Sequence, residues 1–395
     1  MKVIFVSTLL PETNYFCYLA KALEQSGVDI TVYADKNEQN KKTGLSKTKL
    51  VWSKSLLYPW QILSELLKEG EPSLVHLQHE INMFGGPLTA LIFPVLLIGL
   101  RLHQVKIVTT VHAVVAPEQI DQDFLETFAF PPLDVLVWPV KIFFTFLYWL
   151  IGFFSDALIV HTAGLKDMLV DSYHVDGEKI SVIFHGVPEK VPTNNPKPDV
   201  SWASGLEPSR YICYFGYFHR RKGLEYVLDA FSKVSVNHPD LKLVLAGGTL
   251  QKDYEEALKT QSAGLGLLGR VIFTGFVFQN QLYWLLENSL FVLQPATYSI
   301  AASGPLAQVI AFEKPVLGNQ IGVFAQEIQD NVSGLLALSC NSADMASKME
   351  LLINDDVLRA KISQGIGRLH KERSWGNIAG ITGDLYNKTL SKIRE

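Results

Sequence analysis

The sequence predicts an α/β protein built from two doubly wound, parallel-sheet lobes of the Rossmann-like type. The chain has 395 residues, a length that suits two domains of ordinary size. Short apolar runs alternate with amphipathic helical stretches, as expected of parallel strands that are covered on both faces. This alternation occurs twice, on either side of residues 188–208, which contain five prolines and predict a linker.

The first lobe is expected over residues 1–190. Its opening run, residues 2–7, is short, apolar and rich in β-branched residues, and is predicted to be a buried strand. A helical pattern follows over 15–25, which is how a doubly wound sheet begins. Ser7 and Thr8 interrupt the apolar run and no small-residue cleavage site follows, so we do not interpret it as a secretion signal. Later strands are predicted at residues 30–34, 74–78, 105–111, 157–160 and 180–184.

The second lobe is expected over residues 209–373, after a linker at 191–208 that should not pack into a core. Beyond it, the helical segment 374–395 is expected to strap one lobe to the other. The strands of this lobe are predicted at residues 211–215, 241–246, 271–274, 290–293 and 315–317.

Composition excludes several classes of protein. With 35 basic and 39 acidic residues the net charge is −4, so no nucleic-acid partner is expected. The three cysteines form no C-x-x-C pair, which argues against a disulfide framework or a zinc site and fits a reducing, cytoplasmic compartment. No metal is predicted, because the only dense histidine run ends a strand and lacks helical ligand spacing.

The stretch 135–154 is apolar around every helical face, with Lys141 as its one charge. We interpret it as a helix that dips into or lies along a membrane surface, with a core or dimer helix and a membrane span as the alternatives. The shorter stretch 87–100 is interpreted as a buried helix, with membrane contact as its alternative. Mean hydropathy of +0.16 is high for a cytosolic enzyme and favours some apolar surface.

A phosphate site is predicted where the second lobe begins. Gly216 follows a strand, Arg220, Arg221 and Lys222 follow in the loop, and a helix starts after Gly223. A glycine turn, cations and a helix N-terminus together bind phosphate well. The spacing is not that of a Walker loop, and a solvated basic turn is the alternative.

A second ligand-binding helix start is predicted at Ser303 and Gly304, where Ser303 can cap the helix and Pro305 occupies its first turn. A ligand phosphate or sugar oxygen would satisfy the remaining N–H groups, and capping by Ser303 alone is the alternative. Gly247, in the pair after strand 241–246, permits close approach of backbone to a ligand, although a lone Gly-Gly is a weak signal.

In the first lobe, polar side chains end two predicted strands: His79 and Glu80 end one, and His112 ends the next. Strand carboxyl ends are where open α/β sheets bind ligands, so these residues are candidates for a site facing the cleft between the lobes. Each is equally compatible with a structural polar role. No Gly-x-Ser-x-Gly elbow occurs, which disfavours a hydrolase.

The chain resembles the retaining GT-B glycosyltransferases of family 4 over nearly its whole length. The resembling segments are, in order, residues 76–80 with 84–86, 110–112, 156–161, 179–187, 222–223, 273–277, 311–316 and 374–375. The resemblance implies two lobes facing a central cleft, metal-independent transfer with retention, and a nucleotide-diphosphate sugar as substrate with no cofactor.

The resemblance also implies roles for individual residues. The second lobe would bind the donor: Lys222 would meet the diphosphate, Phe276 and Val277 would border the base, and the Ser303–Gly304 backbone would face phosphate or sugar. The first lobe would bind the acceptor, and His112 would approach the reacting centre. Arg220 and Arg221 would replace an arginine that commonly follows the glycine at 216.

Several positions depart from the family pattern. The two glutamates that usually precede the Ala-x-Gly-x-Pro-Val stretch are Ile300 and Gln308 here, and Glu313 replaces the usual glycine. A third usual glutamate is Gln326, with Glu327 one place late. The amide oxygen of Gln308 can still accept from ribose hydroxyls, and a subgroup of the family lacks the paired glutamates.

The leading hypothesis is a hexosyltransferase of polysaccharide biosynthesis. It would act on a lipid-linked or glycan acceptor as a peripheral protein at the cytoplasmic face of the cell membrane, with Lys222, Arg220 and the Ser303 helix end stabilising the departing diphosphate. The rival is a non-catalytic binding or scaffold protein on the same fold, which the lost glutamates favour. A third possibility is a soluble nucleotide-sugar epimerase or a phosphorylase.

Overall fold

A computed structural model describes residues 1–9, 15–38, 44–70, 72–127, 130–131, 133–189, 191–249, 252–297, 303–322 and 324–392. The chain forms two compact units. The first contains Met1–Gly186 and the C-terminal Trp375–Glu395, and the second contains Val187–Ser299 and Ser303–Ser374. The chain therefore enters the second unit just before residue 190 and returns to the first for its final helix.

The first unit is a parallel sheet covered by helices. Its strands are β1 (Lys2–Val6), β2 (Asp29–Asp35), β3 (Thr48–Trp52), β4 (Leu74–His79), β5 (Lys106–Val111), β6 (Ala157–Val160) and β7 (Ile180–Val182), in the order β3-β2-β1-β4-β5-β6-β7. Every residue of β4 and β6 is buried. The sequence of β6 is accordingly a continuous apolar run, whereas β4 combines apolar residues with His76, Gln78 and His79. Its helices up to the crossing are α1 (Tyr15–Gln25), α2 (Tyr58–Glu69), α3 (Pro87–Leu91), α4 (Phe93–Leu102), α5 (Gln122–Thr127), α6 (Asp134–Phe154) and α7 (Ala163–Tyr173).

The second unit repeats this architecture. Its strands are β8 (Tyr211–Phe215), β9 (Lys242–Ala246), β10 (Val271–Gly275), β11 (Val292–Gln294), β12 (Val316–Asn319) and β13 (Leu335–Ala337), in the order β10-β9-β8-β11-β12-β13. All strand pairs are parallel. Its helices are α8 (Leu224–Ser235), α9 (Lys252–Gly264), α10 (Gln279–Asn288), α11 (Gly304–Ala311), α12 (Phe324–Glu327), α13 (Ser342–Asn354) and α14 (Asp356–Glu372), after which α15 (Trp375–Ser391) packs on α1 of the first unit.

The predicted fold class, two Rossmann-like parallel-sheet lobes, is confirmed. Two strands were not predicted, β3 and β13, and both lie at the edge of their sheet. The first three residues of β3 are exposed and β13 has only three residues. β3 was missed because its exposed half weakens the apolar pattern, and β13, which is fully buried, because three residues are too short for a periodic signal.

The segment 191–208 differs from the prediction that it would not pack. Ala203 and Leu206 are buried in the second unit. The carboxylate of Glu287 accepts hydrogen bonds from the backbone of Asn194 at 2.6 Å and the side chain of Asn195 at 2.8 Å. The proline-rich connection is therefore fixed to the second unit, because a side chain of α10 satisfies its polar groups.

The apolar stretch 87–100 forms two helices, α3 and α4, rather than one. Ile92 separates them, and Pro94 sits in the first turn of α4, where its missing N–H costs nothing. The stretch 135–154 lies within α6, of which Val140, Phe144 and Leu147 are buried while Trp138, Phe146 and Phe153 are 71%, 59% and 59% exposed. By length and composition α6 is able to cross a membrane, and one third of its most apolar window is buried.

Candidate functional site

Two strand-end loops of the second unit approach each other closely. Gly216, after β8, has a φ of 139°, and Gly247, after β9, has a φ of 156°. A Cβ atom added at Gly247 would lie 1.9 Å from the carbonyl oxygen of Gly216, so only glycine fits there. The sequence predicted Gly247 for close approach to a ligand, and the structure shows a close approach to the backbone of the neighbouring loop.

The loop after Gly216 forms a short 3₁₀ turn, Arg220–Lys222, and Gly223 leads into α8 in the left-handed conformation with a φ of 60°. The carbonyl oxygen of Arg221 accepts a hydrogen bond from the backbone N–H of Thr297 at 2.8 Å. This bond joins the loop after β8 to the loop after β11. The predicted basic loop is thus held by backbone contacts at the carboxyl end of the sheet.

Lys222 is partly buried in this loop and, within the described ranges, its ammonium group has no hydrogen-bond or ion-pair partner. Burial and, to a smaller extent, the neighbouring charge of Arg221 together lower the pKa of Lys222 to about 8. Desolvated ammonium groups are costly without a counter-charge. The loop therefore presents an unneutralised positive charge that an anionic ligand would compensate.

The side chain of Arg220 interacts with residues at the surface of the second unit. Its guanidinium forms an ion pair with Asp253 at 2.8 Å, with both side chains largely exposed, and lies 5.4 Å from the ring centre of Tyr254. Exposed ion pairs of this kind contribute little to stability. The structure therefore places Lys222, rather than Arg220, as the cation available to a buried ligand, and the predicted catalytic role of Arg220 stays a prediction.

The N-terminus of α11 lies beside the same loop, since a Cβ atom at Gly216 would be 3.9 Å from Pro305 Cγ. The hydroxyl of Ser303 accepts a hydrogen bond from the N–H of Leu306 at 3.1 Å, which is the predicted cap. Pro305 has no N–H to satisfy. Over the parts of the chain that the structure covers, the N–H of Gly304 has no acceptor, so this helix end can bind an anion.

A buried ion pair supports the cap. Glu327 accepts a hydrogen bond from the backbone N–H of Ser303 at 3.2 Å and pairs with Arg373 at 3.4 Å. Burial raises the pKa of Glu327 to about 7, opposed by the charge of Arg373. Glu327 was identified from the sequence as lying one place beyond the usual glutamate. Its contact with Arg373 was not predicted, because 46 residues separate the two and no local spacing indicates the pair.

The remaining donor-site predictions occupy the same edge of the second sheet. The side-chain oxygen of Gln308, on α11, is buried and, within the described part of the chain, has no hydrogen-bond donor. Phe276 follows edge strand β10 and is 68% exposed, while Val277 packs against the core. Ile300 lies outside the described residues. Glu313 adopts a φ of 51° at the end of α11, which explains why glycine is usual there.

Histidines line the carboxyl edge of the first sheet. His79 ends β4, and His112 and His161 follow β5 and β6. The ring of Tyr15 lies 5.1 Å from His112 and 4.7 Å from His161. His161 was not singled out from the sequence, although its position after an apolar strand matches that of His112. Within the described ranges, no three His, Cys, Asp or Glu side chains are grouped to hold a metal ion.

Comparison with known families and structures relates both units to glycosyltransferases. The family model for Glycosyltransferase Family 4 matches residues 13–191, and that for Glycosyl transferases group 1 matches residues 197–367. Anabaena HepE, solved in complex with UDP-glucose, aligns over 99% of this chain and 100% of its own, with a TM-score of 0.72 and 16% identity. A glycosyltransferase of Rickettsia africae aligns over 99% of both chains, with a TM-score of 0.73 and 16% identity.

Sequence relatives match part of the chain. An uncharacterised glycosyltransferase of Methanocaldococcus jannaschii is 26% identical over 250 residues, which are 60% of this chain and 62% of the relative. A D-inositol 3-phosphate glycosyltransferase of Nocardioides is 24% identical over 254 residues, 61% of this chain and 55% of the relative. The chain thus spans less than two thirds of the length of these curated relatives.

Replacing Lys222 with methionine is expected to stabilise the ligand-free protein at pH 7. The pKa of Lys222 falls from about 10.4 in the unfolded chain to about 8 in the fold, so its charge destabilises the folded state below about pH 8. This cost disappears as pH rises toward about 10, because the unfolded state then binds more protons than the folded state.

The measurement is the urea unfolding midpoint of K222M and wild type at pH 7 and pH 9.5, with K361M as the matched control for an exposed lysine. K222M should unfold at higher urea than wild type at pH 7, with a smaller difference at pH 9.5. A K222M variant less stable than wild type at pH 7 would show that Lys222 is a structural residue.

Proposed function

Since the chain belongs to the family 4 glycosyltransferases, we propose that it transfers a sugar from a nucleotide-diphosphate donor to an acceptor hydroxyl, with retention at the anomeric carbon. The observation that carries this proposal is the set of unsatisfied polar groups at the carboxyl edge of the second sheet. Lys222, the N–H of Gly304 and the amide oxygen of Gln308 lack partners within the described residues. Together they match the charges and hydroxyls of a nucleotide diphosphate.

The diphosphate is the leaving group, so catalysis requires that its developing charge be stabilised as the bond to the sugar breaks. Lys222 supplies a positive charge in a desolvated setting, where an ion pair is stronger than in water. The N–H of Gly304 adds a donor at the positive end of α11. Arg221, beside Lys222, and Arg220 at the surface raise the local positive potential that attracts the donor.

Other groups orient the donor. Gln308 accepts from the ribose hydroxyls, and exposed Phe276 with Val277 borders the base, since aromatic faces stack on nucleobases. UDP is the first base to test, because HepE of similar fold was solved with UDP-glucose. His112 is proposed to contact the sugar at the reacting centre. The bond from the anomeric carbon to the diphosphate oxygen breaks, the acceptor oxygen bonds to that carbon on the same face, and the hydroxyl proton passes to the departing diphosphate. A hexose is proposed as the sugar.

The proposal is tested with a panel of nucleotide sugars and their diphosphates. Wild type should gain thermal stability with one diphosphate and should transfer sugar to an acceptor in a membrane extract, detected by mass spectrometry. K222M should lose both effects, with affinity for the diphosphate lowered by about 2–5 kcal/mol, as when a buried charge pair is broken. K361M should retain both.

Donor binding without transfer to any acceptor would favour the non-catalytic binding protein instead. Turnover of the nucleotide sugar with no acceptor would favour an epimerase. Adding EDTA to the transfer assay tests the proposed independence of metal, since activity carried by protein groups alone should persist.

The acceptor is proposed to be lipid-linked or part of a growing polysaccharide, reached at the cytoplasmic face of the membrane. The support is the exposed side of α6, where Val135, Trp138, Phe146, Trp149 and Phe153 are 42–75% exposed. Aromatic residues favour the membrane interface. A helix with one buried and one exposed apolar side fits peripheral attachment, because a span would expose the side that packs on the first unit.

Serine at Trp138, Phe146 and Phe153 should release the protein from vesicles. Each large side chain contributes about 1.5–3 kcal/mol when fully buried in an apolar phase, so the triple variant should lose more than about a hundredfold in affinity. The measurement is co-sedimentation with vesicles containing anionic lipid, with circular dichroism to verify folding.

A matched control exists in the second unit, where Val236, Leu268 and Val357 are 79%, 77% and 80% exposed. Serine at these three positions should leave vesicle binding unchanged. If wild type stays in solution with every vesicle tested, or if both triple variants bind equally well, attachment through α6 is wrong.

A further inference from the structure

A continuous chain of hydrogen-bonded side chains crosses the carboxyl edge of the first sheet. Tyr386 on α15 contacts His76 Nδ1 at 2.5 Å, and His76 Nε2 lies 2.7 Å from Thr110 Oγ1 and 3.1 Å from Nε2 of Gln78. The amide oxygen of Gln78, Oε1, lies 2.8 Å from His112 Nε2. His112 Nδ1 lies 3.1 Å from His161 Nε2. Both ring nitrogens of His112 are thus engaged by the protein.

The hydrogen bond of His161 to a backbone carbonyl determines which ring nitrogens in this network carry protons. His161 Nδ1 lies 2.9 Å from the carbonyl oxygen of Ile183, which can only accept, so Nδ1 carries the proton. Burial lowers the pKa of His161 to about 3, so the ring is neutral and its Nε2 has a lone pair. That nitrogen can only accept from His112, which must therefore carry a proton on Nδ1.

His112 is itself kept neutral. Burial lowers its pKa, and the imidazoles of His161, His185, His76 and His79 lower it further. A neutral ring with its proton on Nδ1 has a lone pair on Nε2. This tautomer requires the Gln78 amide to be turned over, so that its nitrogen donates to His112 Nε2 and its oxygen accepts from His76 Nε2; the two orientations of an amide have the same shape. His76 Nε2–H then also faces Thr110 Oγ1, and His76 Nδ1 accepts from the hydroxyl of Tyr386.

We infer that His161 is a positioning residue that holds His112 in the Nδ1–H tautomer, with the Nε2 lone pair available to a substrate hydroxyl that displaces the Gln78 amide. The inference rests on the role proposed above for His112 at the reacting centre. The carbonyl of Ile183 fixes the tautomer through His161, as an oriented partner fixes a catalytic histidine in other enzymes.

This arrangement suits glycosyl transfer on electrostatic grounds. The sugar ring gains positive charge as the bond to its leaving group breaks. A protonated His112 would repel that charge, whereas a neutral ring presenting a lone pair does not. The surrounding histidines disfavour protonation of His112, because each additional charge would be unscreened in a buried cluster.

The decisive experiment is NMR of full-length protein with ¹⁵N-labelled histidine, in which H112Q identifies the His112 signals. Wild type at pH 7.5 should show a proton on His112 Nδ1 and none on Nε2. A proton on Nε2, or on both nitrogens, overturns the inference. The spectrum needs no substrate, so the inference can fail while glycosyl transfer is observed, and it can stand if transfer is not observed.

Two variants separate positioning from structure. H161F keeps a ring but removes the acceptor, so His112 should populate the Nε2–H tautomer. In H161F, kcat should fall about tenfold to a hundredfold, the usual effect of losing an orienting partner. The KM for the donor should stay within about twofold of the wild-type value. H161Q places an amide oxygen near the former Nε2 position and should restore both the tautomer and the rate.

An H161F variant that folds with unchanged His112 signals and unchanged kcat would contradict the inference. So would an H161Q variant that loses the Nδ1–H tautomer while remaining folded. If H161F does not fold, the wild-type and H161Q spectra still decide.

Discussion

A partly buried positive charge that has no partner among the described residues, that of Lys222, is the main electrostatic constraint on the second unit. Lys222 lies in the loop after β8, whose close approach to the loop after β9 requires glycine at 247, and its pKa is lowered to about 8, mainly by burial. Such a group destabilises the empty fold, so its surroundings must supply the stability that it removes. The buried pair of Glu327 with Arg373 and the cap of α11 by Ser303 hold the adjacent helix end in place. Among the described residues the N–H of Gly304 and Oε1 of Gln308 have no partner.

At the carboxyl edge of the first sheet, by contrast, the buried side chains are neutral and hydrogen-bonded to one another. There a network of hydrogen bonds runs from Tyr386 to the carbonyl of Ile183. Burial lowers the pKa of its three histidines, His76, His112 and His161. One unit therefore offers positive charge, and the other offers a neutral acceptor. In the reaction proposed above, positive charge would stabilise a departing diphosphate, and a neutral imidazole would not oppose positive charge on the sugar.

Much of this was predictable from the sequence, because parallel strands buried on both faces leave continuous apolar runs and ligands collect where those strands end. The basic loop at Arg220–Lys222 and the cap at Ser303 are local patterns. The contact of His161 with His112 depends on β5 and β6 lying side by side, and the pair of Glu327 with Arg373 depends on how distant segments pack. Strand order and long-range packing are properties of the whole chain, and no short motif encodes them.

The central claim is that a nucleotide diphosphate neutralises the ammonium group of Lys222, which has no hydrogen-bond or ion-pair partner among the described residues. Isothermal titration with UDP, GDP and ADP at pH 8.5, in two buffers of different ionisation enthalpy, tests it directly. Lys222 is mostly neutral at that pH, and a bound diphosphate raises its pKa, so binding should take up about half a proton or more per protein, and K222M should take up none. Failure of all three nucleotides to bind, or binding with the same proton uptake in wild type and K222M, would contradict the claim.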